Sequence, residues 1–179
     1  MRERLLQRFQ PIARQAISAQ RIRCHGDYHL GQVLYTGNDL IIFDFEGQPQ
    51  QLVSERQLKH SPLRDVANML WSFQYATYMA RIHGREGEAS AWQEVKHLAA
   101  WANLWYGWSG SALVHAYLTT AGAGAFLPHI REDLLVLLEN FLLATVVANL
   151  SEALDTRPRQ AWIAIEVLLQ LLEAQCERV

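Results

Sequence analysis

Acidic and amide side chains concentrate within residues 24–47, in two short clusters. The first cluster contains Asp27 and Gln32, and the second contains Asp44 and Glu46. A carboxylate can orient a hydroxyl group and accept its proton, and carboxylate and amide oxygens are ligands that suit Mg²⁺. Phosphoryl transfer to an alcohol needs both abilities and little covalent chemistry from the protein. We therefore consider Asp27 a candidate general base. The candidate magnesium ligands are Gln32, Asp44 and Glu46.

The segment between the two clusters predicts a β-hairpin. Residues 33–35 suit a strand, residues 36–39 are turn formers, and residues 40–43 form an apolar run typical of a buried strand. Such a hairpin would place the two clusters side by side. If the chain stays extended after the second strand, Asp44 and Glu46 point the same way, because alternate side chains share a face.

The order of these residues resembles two elements of the protein kinases. Residues 25–32 have the spacing of the catalytic loop H-R-D-L-x-x-x-N, with Gly26 for Arg and Gln32 for Asn. Residues 44–47 resemble the D-F-G element with one acidic residue inserted. Within that superfamily the sequence is similar to the aminoglycoside-phosphotransferase-like kinases, and most similar to the maltokinases. Residues 61–76 strengthen the narrower match.

The resemblance implies an ATP-dependent sugar kinase that uses Mg²⁺ and phosphorylates the anomeric hydroxyl of maltose. Maltokinases are often fused to trehalose synthases, so a fused or associated trehalose synthase is an expected partner. Two alternatives remain open. The chain could belong to a kinase for another sugar, an aminoglycoside or choline, or it could be a non-catalytic accessory domain of a trehalose synthase. The intact Asp27, Gln32 and Asp44 argue against the accessory domain, because a scaffold does not need them.

Four neighbours of the clusters are candidates for supporting roles. We expect His25 to hold the loop through hydrogen bonds rather than to perform acid–base chemistry. The resemblance implies that Asp65 braces the loop backbone, while its place in a predicted first helical turn also suits the helix dipole. His29 is a candidate contact to substrate or phosphate, or a structural residue of the loop. Arg56 is a candidate contact of the same kind, or a solvated surface residue.

The remaining sequence predicts a mainly α-helical domain. Apolar residues recur at helical spacing over residues 2–20, and Ser61-Pro62 is a typical helix start. Glycines at positions 107 and 110 predict a break. The further helices are predicted over residues 61–83, 88–106, 111–120, 130–154 and 158–177. We expect a single domain over residues 1–179, mainly α with a small β-hairpin, made of a catalytic loop (24–32), a metal loop (44–47) and a helical remainder (61–179).

This domain would correspond to the C-terminal lobe of a protein-kinase-like fold. Kinases of this type also have an N-terminal lobe, with a phosphate-covering loop and a strand lysine that holds the phosphates. Residues 1–23 contain no glycine and are mostly predicted to be helical. We therefore expect that the N-terminal lobe is absent, through truncation, a split gene or a misplaced start, and that the isolated chain turns over negligibly.

Composition argues against several other classes of protein. The net charge is −2 at pH 7 and the basic residues are scattered, which gives no footprint for nucleic acid. No uncharged apolar run approaches the roughly 18–20 residues that span a bilayer. The two cysteines, Cys24 and Cys176, do not make a disulfide framework, which fits a reducing cytoplasm. We expect Cys24 to be a small buried hydrophobe rather than a reactive thiol.

Aromatic residues are concentrated in one stretch of the helical remainder. Aromatic faces can stack on sugar rings, so this stretch is a candidate sugar platform, and packing in a helical core is the alternative. Its members are Trp101, Trp105, Tyr106, Trp108 and Tyr117.

Overall fold

The computed structural model describes residues 2–14, 16–47, 52–83 and 92–173. Helices dominate this part of the chain, and one two-stranded sheet accompanies them, so the prediction of a mainly α fold with a small hairpin is confirmed. The elements are α1 (Arg2–Arg14), β1 (Val33–Tyr35), β2 (Leu40–Ile42), α2 (Val53–Arg56), α3 (Leu63–His83), α4 (Trp92–Ala121), α5 (Arg131–Thr156) and α6 (Ala161–Glu173). Single 3₁₀ turns at Leu30–Gln32 and Pro158–Gln160 precede β1 and α6. The sequence expectations for residues 48–51, 84–91 and 174–177 lie outside the described residues.

The helices pack around a core formed mainly by α3, α5 and α6. Helix α3 packs against α4 and α5, and α5 also packs against α1 and α6. Ile163 and Val167 on α6 and Val146 on α5 are fully buried in this core. Burial of each such side chain contributes about 1.5–3 kcal/mol. Packing of these core side chains therefore does much to fix the positions of α3 and α5 relative to each other.

Helix α4 is continuous across the predicted break, so the break at positions 107–110 and the separate helices over residues 88–106 and 111–120 were wrong. A glycine within a helix costs only about 1 kcal/mol relative to alanine, which tertiary packing easily offsets. At Gly110 there is a packing reason for a glycine, because a Cβ at this position would lie 3.1 Å from Cδ2 of Leu70 on α3. The glycine therefore lets the two helices approach closely.

Helix α1 is shorter than the periodicity predicted, since it ends at Arg14. Arg4 and Arg8 donate hydrogen bonds to the carbonyl groups of Leu172 and Leu171 in the last turn of α6. Cations suit that position because the carbonyls of a final helical turn lack partners within the helix. Beyond α1 the chain is irregular. It then forms a β-bridge between Ile22 and His60, just before the catalytic loop.

The hairpin has the predicted antiparallel pairing but not the predicted burial. Val33 pairs with Ile42 and Tyr35 pairs with Leu40, and Thr36 closes the turn by donating its N–H to the carbonyl of Asp39 at 2.9 Å. The expectation of a buried second strand was wrong, since Leu40 is 62% exposed and Ile42 is 42% exposed. In the described part of the chain the two strands pack mainly against each other, so both faces stay open.

Among the described helices, α5 alone is long and apolar enough to cross a membrane, judged by length and composition. Core helices of helical bundles share those properties, and α5 packs against three other helices. The length and composition of α5 are therefore weak support for a membrane span. The absence of membrane association stays a prediction.

Candidate active site

The loop before β1 is fixed to the helical core by one carboxylate. Asp65, in the first turn of α3, accepts hydrogen bonds from the backbone N–H groups of His25 at 2.7 Å and Gly26 at 3.0 Å. Bonds from N–H groups to an ionised carboxylate are stronger than neutral ones. Asp65 therefore contacts the loop backbone, as the family resemblance implied. The importance of Asp65 for activity stays a prediction.

His25 joins the two chemical clusters. Its ring is buried, with Nδ1 3.4 Å from the N–H of Asp27 and Nε2 2.8 Å from the carbonyl oxygen of Phe43. Because Nδ1 accepts from Asp27, the neutral ring carries its proton on Nε2 and donates it to Phe43. The rings of Tyr28 and Phe45 flank the imidazole, with centroids 5.5 and 4.7 Å away. Both ring nitrogens are therefore engaged by backbone groups, and the loop-holding role of His25 stays a prediction.

Two glycines let the loops approach each other more closely than other residues would allow. Gly26 has φ +88°, and a Cβ on it would lie 3.2 Å from the Cα of Gly47. Gly47 also has positive φ, and a Cβ there would meet the aliphatic part of Arg56 at 3.4 Å. Arg56 therefore packs beside the loop that follows β2, and it does not line the pocket described below.

Asp44 and Gln32 are brought together across the base of the hairpin. The side-chain amide of Gln32 donates from Nε2 to Oδ2 of Asp44 at 3.0 Å. Asp44 has φ +64°, a left-handed conformation that asparagine and aspartate tolerate best among residues with side chains. Phe45 and Glu46 then form a turn, so the extended backbone assumed for Asp44 and Glu46 does not occur, although both side chains are exposed.

These side chains fit a magnesium ion in chemical terms. The carboxylate of Asp44, the remaining amide oxygen of Gln32 and the nearby Glu46 form an oxygen-only set, which Mg²⁺ prefers. Within the described ranges, no group of three or more His, Cys, Asp or Glu residues is arranged to hold a metal by itself. Magnesium in phosphoryl-transfer sites usually takes one or two protein carboxylates and completes its shell with water and phosphate oxygens.

Asp27 faces a pocket of about 440 Å³ between α3 and α5. Its side chain is 25% exposed, and Oδ2 lies 3.7 Å from Nε2 of His29. His29 accepts the N–H of Gly31 at its Nδ1, 3.0 Å away, so the neutral ring presents its proton at Nε2, toward Asp27. Asp27 and His29 thus form one wall of the pocket, with the carboxylate open to solvent.

The other walls of the pocket come from residues that the sequence analysis missed. Helix α3 contributes Asn68, Trp71, Ser72 and Tyr75, and α5 and the residue after it contribute Thr145, Asn149, Glu152 and Arg157. Glu152 and Arg157 are paired at 3.3 Å between Oε1 and Nη2. A signal was present in the sequence, because Thr145, Asn149 and Glu152 recur at positions i, i+4 and i+7 and therefore share one face of α5.

The predicted aromatic platform lies elsewhere. Trp101, Trp105 and Trp108 are exposed on α4, and none of the five aromatic candidates lines the pocket beside Asp27. The aromatic lining of this pocket is instead Trp71 and Tyr75, whose ring centroids are 5.9 Å apart.

Burial raises the pKa of two side chains within the loop formed by residues 24–32. Burial, with a smaller contribution from the charge of Asp65, raises the pKa of the Cys24 thiol to about 11. The thiol donates weakly to the carbonyl oxygens of His60 and Ile22. Burial and Asp65 also raise the pKa of Tyr28. A protonated, half-buried thiol is a poor nucleophile, which agrees with the expectation that Cys24 is structural.

No protein-family model matches the sequence. The fold, however, is similar to solved structures of a glucosamine kinase. Crystal form A aligns with a TM-score of 0.78 and 20% identity over 98% of this chain and 40% of that one. Crystal form B aligns with a TM-score of 0.74 and 21% identity over 99% of this chain and 39% of that one.

A third solved structure is a glucosamine kinase in complex with glucosamine, ADP and inorganic phosphate. It aligns with a TM-score of 0.77 and 18% identity over 98% of this chain and 41% of that one. At such identities the likeness establishes a kinase-like fold, and it does not single out the maltokinases. The present chain spans about two fifths of the length of these kinases.

Proposed function

We propose that this chain forms the catalytic-loop and acceptor-binding part of an ATP-dependent sugar kinase. The observation that carries the proposal is the position of Asp27, a partly exposed carboxylate on the wall of a polar pocket. The pair formed by Gln32 and Asp44 supports it, since His25 bonds both to Asp27 and to the residue before Asp44. A similar fold that binds a sugar and ADP is further support.

In this proposal Asp27 is the general base. Its carboxylate accepts a hydrogen bond from the acceptor hydroxyl and takes the proton as that oxygen forms its bond to phosphorus. Nε2 of His29 lies 3.7 Å from Oδ2, which is beyond hydrogen-bond distance, so both carboxylate oxygens stay available to the acceptor. His25 and Asp65 keep the loop backbone in place and do not exchange protons with the substrate.

Asp44 and Gln32 would hold Mg²⁺, with the exposed Glu46 as a possible additional ligand. Bound magnesium neutralises the phosphate charge that develops during transfer. The hydrogen bond from Gln32 Nε2 keeps the carboxylate of Asp44 oriented before any ligand arrives. ATP is the proposed phosphate donor, and the cytoplasm is the proposed location because ATP and reduced thiols occur there together.

The acceptor is proposed to be a sugar, with two named candidates. Maltose is implied by the motif resemblance, and glucosamine is the sugar bound by a structural neighbour. The polar walls of the pocket suit a hydroxyl-rich ligand of either kind, and Trp71 and Tyr75 supply apolar surface for a ring face.

The proposal also includes a further lobe that completes the nucleotide site. The chain spans about two fifths of the kinases that it resembles, and the apolar strands of its hairpin are exposed. We propose that the additional lobe, or an associated protein such as a trehalose synthase, covers this hairpin. The experiment on function must therefore use the complete natural protein.

The test is an acceptor panel with the complete protein, ATP and Mg²⁺. Glucosamine, glucose, maltose, an aminoglycoside and choline are compared by ADP release, and the products are identified by mass spectrometry. We expect phosphorylation of glucosamine or maltose and none of choline. Phosphorylation of the aminoglycoside alone, or of no acceptor, would refute the sugar-kinase proposal.

A further inference from the structure

One buried hydroxyl group lies between the two helices that form the pocket. Thr145 on α5 is 9% exposed, and its hydroxyl donates to Oδ1 of Asn68 on α3 at 2.7 Å. An amide group has one acceptor end and one donor end. With its oxygen engaged by Thr145, Asn68 has its NH₂ group left to offer as a donor to a ligand in the pocket that it lines.

A second amide is fixed by the helix backbone at the same position. Nδ2 of Asn149 donates to the backbone carbonyl oxygen of Thr145 at 2.9 Å, one helical turn earlier. This bond engages the donor end of Asn149, so its Oδ1 atom is left to accept from a ligand. Asn149 also lines the pocket. The side chain of Thr145 thus sets Asn68 as a donor, and the helix backbone at the same position sets Asn149 as an acceptor.

The polarity of a third pocket residue is fixed in the same way. Oγ of Ser72 accepts the N–H of Leu30 at 3.0 Å. Its own proton therefore points away from that bond and can be donated within the pocket, which Ser72 lines together with Asn68. Helix α3 therefore presents donors one turn apart, and α5 presents an acceptor opposite them.

We propose that Thr145 is a positioning residue that determines sugar specificity, because its hydroxyl holds Asn68 as a donor for one hydroxyl group of the bound ring, while the helix backbone at position 145 holds Asn149 as an acceptor for a second. This inference rests on the proposed function and extends it to the recognition of the acceptor. Thr145 lines the pocket but is only 9% exposed, and its hydroxyl is engaged by Asn68. It acts through the orientation of Asn68, because threonine can donate to an amide oxygen while valine, which has nearly the same shape, cannot.

The test compares Thr145→Val with Thr145→Ser in the complete protein. Valine removes the hydroxyl, so the Asn68 amide is free to turn its oxygen toward the pocket. We expect KM for glucosamine, and for maltose if that is the acceptor, to rise about tenfold, the effect of one well-made hydrogen bond. KM for ATP and kcat should stay within about twofold, since Asp27 is untouched, and serine should restore KM. Unchanged sugar KM in Thr145→Val would overturn the inference.

A double-mutant cycle tests whether the effect passes through Asn68. If it does, Thr145→Val should add little to the sugar KM of Asn68→Ala, because the amide that it reorients is already gone. Full additivity of the two changes would contradict the inference. Asn68→Asp serves as a second variant if Thr145→Val does not fold, since aspartate keeps an acceptor for Thr145 and replaces the donor NH₂ group with a negatively charged oxygen. It should reproduce the rise in KM, and a wild-type KM in Asn68→Asp would equally overturn the inference.

The two levels of the proposal fail in different ways. If the wild-type protein phosphorylates no sugar, the proposed function fails. If the wild-type protein phosphorylates a sugar and Thr145→Val has the same KM, only the role of Thr145 fails.

Discussion

The edge of the molecule that carries Asp27 and Asp44 is stabilised by different interactions from those that stabilise the helical core. The core consists of apolar side chains from α3, α5 and α6, several of them fully buried. The edge that carries Asp27 and Asp44 has exposed strands, and a few directional bonds fix it, chiefly those of Asp65 and His25. Packing is distributed over many contacts, whereas a directional bond depends on one atom. Single substitutions at the edge should therefore disturb the site more than comparable changes in the helices.

The largest effect on stability is expected for Asp65→Ala, which removes the carboxylate that joins the edge to the core. Two backbone N–H groups lose their acceptor, so the free energy of unfolding should fall by about 2–3 kcal/mol. Asp65→Asn keeps one acceptor oxygen and should cost about half as much. Urea titration followed by tryptophan fluorescence measures both. Equal stability of the two variants and the wild type would show that the edge is held by something else.

The next effect concerns the contact between the two loops at Gly26. Alanine there meets the left-handed backbone, which costs about 1–2 kcal/mol, and also lies 3.2 Å from the Cα of Gly47. Gly37→Ala is the matched control, because its φ is +95° with no atom within 4 Å of the added Cβ. We expect Gly26→Ala to lose more stability than Gly37→Ala and to lose activity as well. The same loss in both variants would mean that the close approach of the loops is unimportant.

On α4, away from this edge, the corresponding glycine pair should respond weakly. Gly107→Ala on α4 meets no atom within 4 Å, so the gain in helix propensity should stabilise the protein by about 0.5–1 kcal/mol. Gly110→Ala should gain less, or lose, because its Cβ would press on Leu70 at 3.1 Å. Thermal unfolding of the two variants compares them directly. A larger gain at Gly110 than at Gly107 would contradict the packing seen between α3 and α4.

The smallest effect is the pH dependence of stability contributed by Cys24, which lies where the edge meets the helical core. Folding raises the pKa of Cys24 from 9.0 to about 11, chiefly through burial. Its stabilising contribution is therefore complete below pH 9 and is lost as the pH rises toward 11. Alkylation of Cys24 by iodoacetamide, in a Cys176→Ser background, should remain slow at pH 9 and accelerate toward pH 11. Rapid alkylation at pH 8 would show that the Cys24 thiol is not protected by burial.

The parts of the fold that follow from local chemistry could be predicted from the sequence. The turn at residues 36–39, the start of α3 after Ser61-Pro62 and the end of α4 near Gly122 each depend on a few adjacent residues. The break expected within α4 was wrong because the cost of a glycine is small beside the packing of Gly110 on α3. The burial expected for β2 was wrong because burial depends on what covers a strand, and the strand sequence does not contain that information.

The candidate site shows the same division. Asp27, Gln32 and Asp44 could be named from a motif because their spacing is local. The pocket beside Asp27 could not, because it forms only where α3 and α5 pack together, and neither helix sequence identifies its partner. The polar residues of α5 were visible as a stripe, but their chemical roles follow from cross-helix bonds such as that between Thr145 and Asn68.

The central claim is that Asp27 is the base of a sugar phosphotransferase, and Asp27→Asn in the complete protein tests it most directly. Asparagine keeps the size of the side chain but cannot take a proton, so kcat for sugar phosphorylation should fall by a factor of about 10²–10⁴. Sugar binding measured by calorimetry without nucleotide, the unfolding temperature and any assembly with a trehalose synthase should stay close to wild type. An Asp27→Asn protein that phosphorylates sugar at the wild-type rate would contradict the account, and it would favour a non-catalytic accessory role instead.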